Sequence, residues 1–136
     1  MADTMQFDLV SPERKLVSVA ARAVRIPGAE GDMTAMPGHA PTLTTLRPGF
    51  VTVDTAGGEE HRFVVTGGFA EIGAEGVSVL AERGMKGAEF TQEIYTSLVT
   101  EARGRLDAAP QEHMDMIAKL VADLQALATE SGLRPD

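Results

Sequence analysis

Near residues 84–88 the spacing of apolar residues changes from about two to between three and four, so one class of secondary structure cannot run through the whole chain. From Met5 to about Lys86 the apolar residues come in short alternating runs broken by glycine and proline, the pattern of an antiparallel sandwich or barrel. This predicts strands over 6–10, 15–20, 22–27, 49–55, 59–66, 68–72 and 77–81, with hairpin connections at Ala56-Gly57-Gly58 and Gly73-Ala74-Glu75-Gly76. Between Val17 and Ile26 the parity shifts, with Val17, Val19 and Ala21 giving way to Val24 and Ile26, which predicts a bulge or corner. Further on, Phe90, Ile94, Leu98, Ala102 and Leu106 fall on one helical stripe, which Pro110 ends. A second stripe follows in Met114, Ile117, Val121, Leu124 and Ala128, and Ser131-Gly132 supplies its stop. The expectation is a mainly β fold with an α appendage, divided into residues 1–87 and residues 88–136. Alanines at 102, 108, 109, 118, 122, 126 and 128 thin the contact between the helices. At ~25 cal/mol per Å² such a seam barely offsets the ordering of the chain, which predicts a mobile arm unless it is docked.

The length, 136 residues, fits one ordinary domain or a small domain with an appendage. Hydrophobic residues at 43% and charged residues at 24% are a globular composition. Aromatics make up only 4%, which leaves little for stacking bases or sugars. A net charge of −8, with basic residues scattered along the chain, disfavours both nucleic acid and direct contact with anionic lipid. The absence of cysteine excludes a disulfide framework, a thiolate nucleophile and a sulfur-ligated metal. The first ten residues carry Asp3 and Asp8 rather than a basic start and an apolar stretch, so they do not read as a secretory signal. No apolar run approaches the ~20 residues of a membrane span, so membrane association is expected through a protein partner.

Catalytic machinery is not visible in the residue pattern. His39, His61 and His113 lie far apart, without the spacing of a metal site. His39, in a loop, reads either as a turn residue bonded within that loop or as part of a partner contact. Gly68 and Gly73 have the spacing of a phosphate loop, but Ala74-Glu75 stands where a lysine and a hydroxyl belong, and the acid repels phosphate. There is no Gly-x-Ser-x-Gly, and the serines lack a neighbouring histidine and acid in a recognisable order. Glu30 and Asp32 flank Gly31 in a turn; two acids without a dense repeat of oxygen ligands do not make a calcium loop, although exposed tips on a rigid sheet are where binding residues collect.

The run Ile26-Pro27-Gly28-Ala29-Glu30-Gly31-Asp32-Met33-Thr34-Ala35-Met36-Pro37-Gly38-His39-Ala40-Pro41-Thr42-Leu43-Thr44-Thr45-Leu46 resembles a signature loop of the epsilon subunit of the bacterial F-type ATP synthase. Thr66-Gly67-Gly68-Phe69-Ala70-Glu71-Ile72 and Val77-Ser78-Val79-Leu80-Ala81-Glu82 follow in that family's order, and the resemblance covers almost the whole chain. It implies an N-terminal flattened ten-stranded β-sandwich followed by an antiparallel two-helix hairpin. It also implies a non-catalytic subunit of the central stalk, without cofactor, that links the gamma subunit to the ring of c subunits and couples proton flow to ATP synthesis. Carried over, Glu30, Gly31 and Asp32 look like the contact with the c ring, while Ser11 and Pro37-Gly38-His39-Ala40-Pro41 look like the surface toward gamma.

In some members of that family the hairpin opens against the alpha and beta subunits and blocks ATP hydrolysis, and in others bound ATP holds it folded. The family's nucleotide-associated run begins with an aliphatic residue and an acid and has arginine and alanine three and four positions after that acid; this chain has Phe90-Thr91-Gln92-Glu93-Ile94-Tyr95 instead, without the acid and the arginine at those places, which predicts weak or no ATP binding. Basic residues for a regulatory arm are limited to Arg103 and Arg105 on the first helix and Lys119 on the second, ahead of Arg134, so blocking by charge is expected to be weak. The resemblance implies a peripheral protein on the cytoplasmic face of the inner membrane, and a monomer when isolated. The competing readings from the residues are a small soluble nucleotide-binding protein and an adaptor with a helical recognition arm.

Overall fold

A computed structural model describes residues 4–136. The chain divides into two compact units, Met1–Gly87 and Ala88–Asp136. Nine strands among the described residues build the first: β1 (Met5–Val10), β2 (Lys15–Gly28), β3 (Gly31–Ala35), β4 (Thr42–Leu46), β5 (Gly49–Thr55), β6 (Glu60–Val65), β7 (Gly68–Ile72), β8 (Gly76–Ala81) and β9 (Gly84–Lys86). They hydrogen-bond in the order β1-β8-β7-β4-β2-β5-β6-β9, with β3 beside β2 and a further pairing of β1 with β2.

Strand β2 belongs to both layers of the sandwich. Its first half, Lys15 to Ala21, runs antiparallel to β1, and its second half pairs β3 and β5. The ladder breaks register between Ala21 and Ala23, where the expected bulge falls. Counting β2 once for each layer converts nine strands into the ten expected. One layer is therefore β4-β7-β8-β1 with the start of β2, and the other is β3, the end of β2, β5, β6 and β9.

Alternation directs one face of each strand inward. Met5, Phe7 and Leu9 of β1, Ala70 and Ile72 of β7, and Val77 and Val79 of β8 meet Val24, Ile26, Val51, Val53, Phe63 and Val65 in one buried cluster. Val and Ile predominate and phenylalanine is scarce, as the low aromatic content requires. Three strands were not expected from the sequence: β3, β4 and β9. Each is short, and β3 and β4 lie inside the turn-rich block.

The second unit contains α1 (Gln92–Ala108) and α2 (Gln111–Glu130). Thr91 caps α1, its hydroxyl accepting the Ile94 N–H at 3.3 Å, and Pro110 stands at the start of α2, where a missing N–H carries no cost. The buried side chains are Tyr95, Leu98, Val99 and Ala102 on α1, and Ile117, Leu124, Leu127 and Ala128 on α2. The expected stripes are corrected at their ends. Phe90 is buried but precedes α1, Ile94 and Leu106 are only half-buried, and Met114 is exposed, whereas Leu127 is inside. The buried positions 117, 124, 127 and 128 still share one face of α2, within an arc of about 100° at 3.6 residues per turn.

Candidate functional surfaces

The turn-rich block folds into two separate features. The first is the β2–β3 hairpin, whose Gly28 and Gly31 pair across the two-residue turn Ala29-Glu30. Arg47, which leads out of β4, clamps its base. The Arg47 backbone N–H donates to Pro27 O at 3.0 Å, Nη1 donates to Gly28 O at 2.5 Å, and Nη2 pairs with the Asp32 carboxylate at 2.5 Å. The two acids of the tip are thus unequal: Asp32 is held by Arg47, while Glu30 is exposed and has no ion-pair partner among the described residues. The sequence reading treated them alike, because Arg47 lies fifteen residues from Asp32 and no local pattern links them.

The second feature is the loop Pro37-Gly38-His39-Ala40-Pro41. Pro37 and Gly38 fill the centre of a turn closed by the His39 N–H on Met36 O at 3.1 Å. The Gly38 N–H donates to Ala74 O at 3.0 Å, tying the loop to the turn between β7 and β8. His39 Nδ1 lies 2.7 Å from Ala40 O, so that nitrogen carries a proton and donates, and the ring is engaged within its own loop. Thr42 Oγ1 donates to the same carbonyl at 3.0 Å.

Ser11 lies at the other end of this layer. The Ser11 N–H and Arg14 carbonyl, and the reverse pair, close the β1–β2 turn at 2.9 and 3.2 Å. Ser11 follows Val10, which lies beside Leu80, whereas the Gly38 loop sits where β7 turns into β8. The two expected parts of one surface are therefore separated by the length of the strands, about 15 Å at ~3.3 Å per residue.

What joins them is the outward face of the β4-β7-β8-β1 layer. Register places Thr45 opposite Phe69, Phe69 opposite Leu80, and Leu80 beside Val10, so that these four side chains form a row across four strands. Phe69 and Leu80 are each 42% exposed, and on the same face Leu43 reaches 70%. Beside the row is a cleft of about 520 Å³ lined by Val10, Ser11, Pro12, Phe69, Leu80 and Glu82. One row along, Leu43, Glu71, Ser78, Asp8 and Ser18 are aligned by the same ladders. There the face turns polar, and Gln6 Nε2 donates to Ser18 Oγ at 2.6 Å and to Asp8 Oδ1 at 3.3 Å. An apolar row bordered by carboxylates is a surface for contact, not for covalent chemistry. Sequence reasoning singled out the glycine-containing strand but missed Phe69, Leu80 and Leu43, although each alternates out of phase with the core residues.

On the helices, Arg103 and Arg105 are exposed, and Lys119 pairs with Asp123 one turn on at 2.7 Å. No group of three or more potential metal ligands occurs among the described residues. Among the described residues, no helix is long and apolar enough to cross a membrane.

Residues 4–87 match the family described as ATP synthase, Delta/Epsilon chain, beta-sandwich domain. The chain is 56% identical to the ATP synthase epsilon chain of Paracoccus denitrificans, an alignment covering 100% of this chain and 96% of that one. It is 55% identical to that of Rhodobacter capsulatus, over 98% and 100% respectively. Among solved structures, a chain of the Euglena gracilis mitochondrial ATP synthase assembly of OSCP, F1 and c-ring superposes with a TM-score of 0.74 at 21% identity, covering 96% of this chain and 82% of that one, a likeness of fold. A sandwich with a bulged strand shared between its layers, followed by a helical pair and matched over its whole length by epsilon chains, places this protein in the ATP synthase delta/epsilon chain family.

Proposed function

We propose that this chain is the epsilon subunit of a bacterial F-type ATP synthase, a non-catalytic part of the central stalk that joins the gamma subunit to the c ring and turns with them. The observation that carries this reading is the 56% identity with an epsilon chain over an alignment that covers 100% of this chain. The subunit is peripheral to the cytoplasmic face of the inner membrane, held there by the complex. Its work is to transmit torque, and this requires stable joints at both ends of the sandwich rather than a reactive group.

The outward β4-β7-β8-β1 face is the surface toward gamma. It is bounded at one end by Ser11 and at the other by Pro37, Gly38, His39, Ala40 and Pro41, so the separated loops become two margins of one contact. Its apolar row calls for an apolar strip on the partner, and Asp8 and Glu71 call for basic groups beside that strip. The β2–β3 tip, with Glu30, Gly31 and Asp32, meets the polar loops of the c ring, and the Arg47 clamp keeps it rigid enough to bear load. The α1–α2 pair is the arm that reaches alpha and beta subunits when open. Lys119 is already paired with Asp123, which weakens further the charge available for inhibition.

The test is co-purification with gamma, comparing the wild type with Phe69→Glu and Leu80→Glu. Both side chains are substantially exposed, so the variants are expected to fold, to keep their melting temperature within a few degrees and to lose gamma. Retention of gamma by both variants would refute the assignment of this face, and a wild-type chain that fails to bind gamma would refute the assignment of the subunit.

A further inference from the structure

The residues after α2 return to the start of α1 and hold it. Helix α2 ends in a paired-bond turn: the Leu133 N–H donates to Ala128 O at 2.8 Å, the Gly132 N–H donates to Thr129 O at 3.1 Å, and Gly132 has φ +78°. A side chain at position 132 would be strained in that conformation, which sends the chain off the α2 axis. Beyond it, the Gln92 side-chain amide binds the backbone of Arg134 from both sides. The Arg134 N–H donates to Gln92 Oε1 at 2.9 Å, and Gln92 Nε2 donates to Arg134 O at 3.0 Å. Tyr95 Oη donates to Pro135 O at 2.5 Å.

These bonds join residues 40 and 42 apart in sequence, so they close the hairpin at the end opposite its Ala109-Pro110 connection. The geometry is prepared on both sides. The Tyr95 ring is buried and stands edge-on to Phe90, with centroids 6.4 Å apart and planes at 78°, so its hydroxyl has a fixed direction. On the other side, a residue before proline favours extended backbone and proline fixes its own φ, so Arg134 and Pro135 present their carbonyls with little conformational freedom left to lose. Each helix buries only four side chains, so three long-range hydrogen bonds are a large share of what opposes separation.

We propose that residues 134–136 are a latch on the helical hairpin: Gln92 and Tyr95 are its receiver, and α1 and α2 separate only after the latch has let go. The latch acts within the second unit and stands whether or not the hairpin has an inhibitory role. A regulatory partner would act here by competing for Gln92 and Tyr95 rather than by prising apart the seam.

The experiment is native-state amide hydrogen exchange on the full chain, on a chain truncated after Leu133, and on Gln92→Ala and Tyr95→Phe in both backgrounds. Truncation leaves both helices intact, and Tyr95→Phe keeps the ring while removing the donor. Exchange in the first turns of α1 and the last turns of α2 is expected to speed up together, by about tenfold for the truncation, while β5 and β6 are unchanged. Tyr95→Phe and Gln92→Ala are expected to loosen the full chain and to add little once residues 134–136 are gone. Unchanged exchange of α1 on truncation overturns the proposal. So does a Tyr95→Phe effect of equal size in both backgrounds, which would make the residue an ordinary packing group.

Discussion

Gly68→Ala is the substitution whose effect the structure sets most firmly. Gly68 opens β7 opposite Ala81 of β8, with φ +119°, and a Cβ built on it lies 2.0 Å from Leu80 O and 3.0 Å from Ala81 Cα. Both obstacles are backbone, so no rotamer change relieves them. Either the strands part at this end of the ladder or Gly68 takes a different φ and loses its place in the sheet. Parting forfeits about two ladder hydrogen bonds at ~1 kcal/mol each, and an alanine that keeps φ +119° while the strands part adds strain of order 1–3 kcal/mol. The expected loss is therefore about 3–5 kcal/mol, a large part of the roughly 5–15 kcal/mol that holds a domain folded.

The assay is urea unfolding read by amide exchange in β7 and β8, because a whole-chain signal would mix two units that need not unfold together. Gly104→Ala serves as the opposite control: Gly104 lies inside α1 with nothing within 4 Å of its built Cβ, so the alanine should stabilise the helix by up to ~1 kcal/mol. The same ladder sets Phe69 opposite Leu80, so Gly68→Ala should also weaken the gamma binding proposed for that face, whereas Gly104→Ala should not. A Gly68→Ala loss below about 1 kcal/mol would refute the close-approach argument, since it would mean that the strands part there almost without cost.

Two further perturbations test the tip and the helical unit. Asp32→Asn should change stability by less than about 1 kcal/mol, because the pair is partly exposed, while Arg47→Met should cost more by also removing the donor to Gly28 O. A thermal-melt series at low and high salt checks this, and equal losses for the two variants would show that the carbonyl contact contributes nothing. Burial raises the Tyr95 pKa above 10.0, against a lowering by Arg103 and with a smaller rise from Asp136. The folded state therefore holds the phenolic proton more tightly than the unfolded state. That stability is fully present below the unfolded pKa and is lost as pH rises through the folded one, so the helical unit should loosen above about pH 10. Tyr95→Phe should flatten that alkaline decline, as followed by far-UV circular dichroism.

Much of the architecture is legible in the sequence where neighbouring residues decide it. Strands β5, β7 and β8 alternate around glycine turns, the parity break in β2 marks its corner, and Pro110 divides the helices. What stays hidden depends on partners distant in sequence. Strand β9 is three residues long and exists because β6 has a free edge for Phe63, Val64 and Val65 to offer. β3 begins with Gly31 and Asp32, which read as turn residues until β2 supplies a ladder. Among site residues, local pattern picks out Glu30 and His39, yet it cannot show that Arg47 neutralises Asp32 or that His39 is occupied by its own loop. Nor can it set Ser11 and the Gly38 loop at opposite ends of one layer, because that separation follows from β1 running parallel to β8 across intervening sequence.

The same dependence on distance gives the run 90–95 its meaning. The run Phe90-Thr91-Gln92-Glu93-Ile94-Tyr95 lacks the acid at its second position and the arginine three residues later that the resemblance ties to nucleotide recognition. The structure shows what it has instead: Phe90 and Tyr95 in edge contact, Thr91 capping the helix, and Gln92 and Tyr95 bonded to residues 134 and 135. A hairpin that carries its own latch has no need of a bound ligand to stay folded, and a segment occupied by Arg134 and Pro135 offers a ligand few free polar groups. The prediction of weak or no ATP binding and the proposal of a latch thus share one cause. They part at the truncated chain: releasing Gln92 and Tyr95 should loosen the helices without creating affinity for ATP, because the missing acid and arginine are not restored. Thermal stabilisation of the truncated chain by ATP, absent in the full chain, would show that the latch hides a nucleotide site and that the missing charges were the wrong criterion.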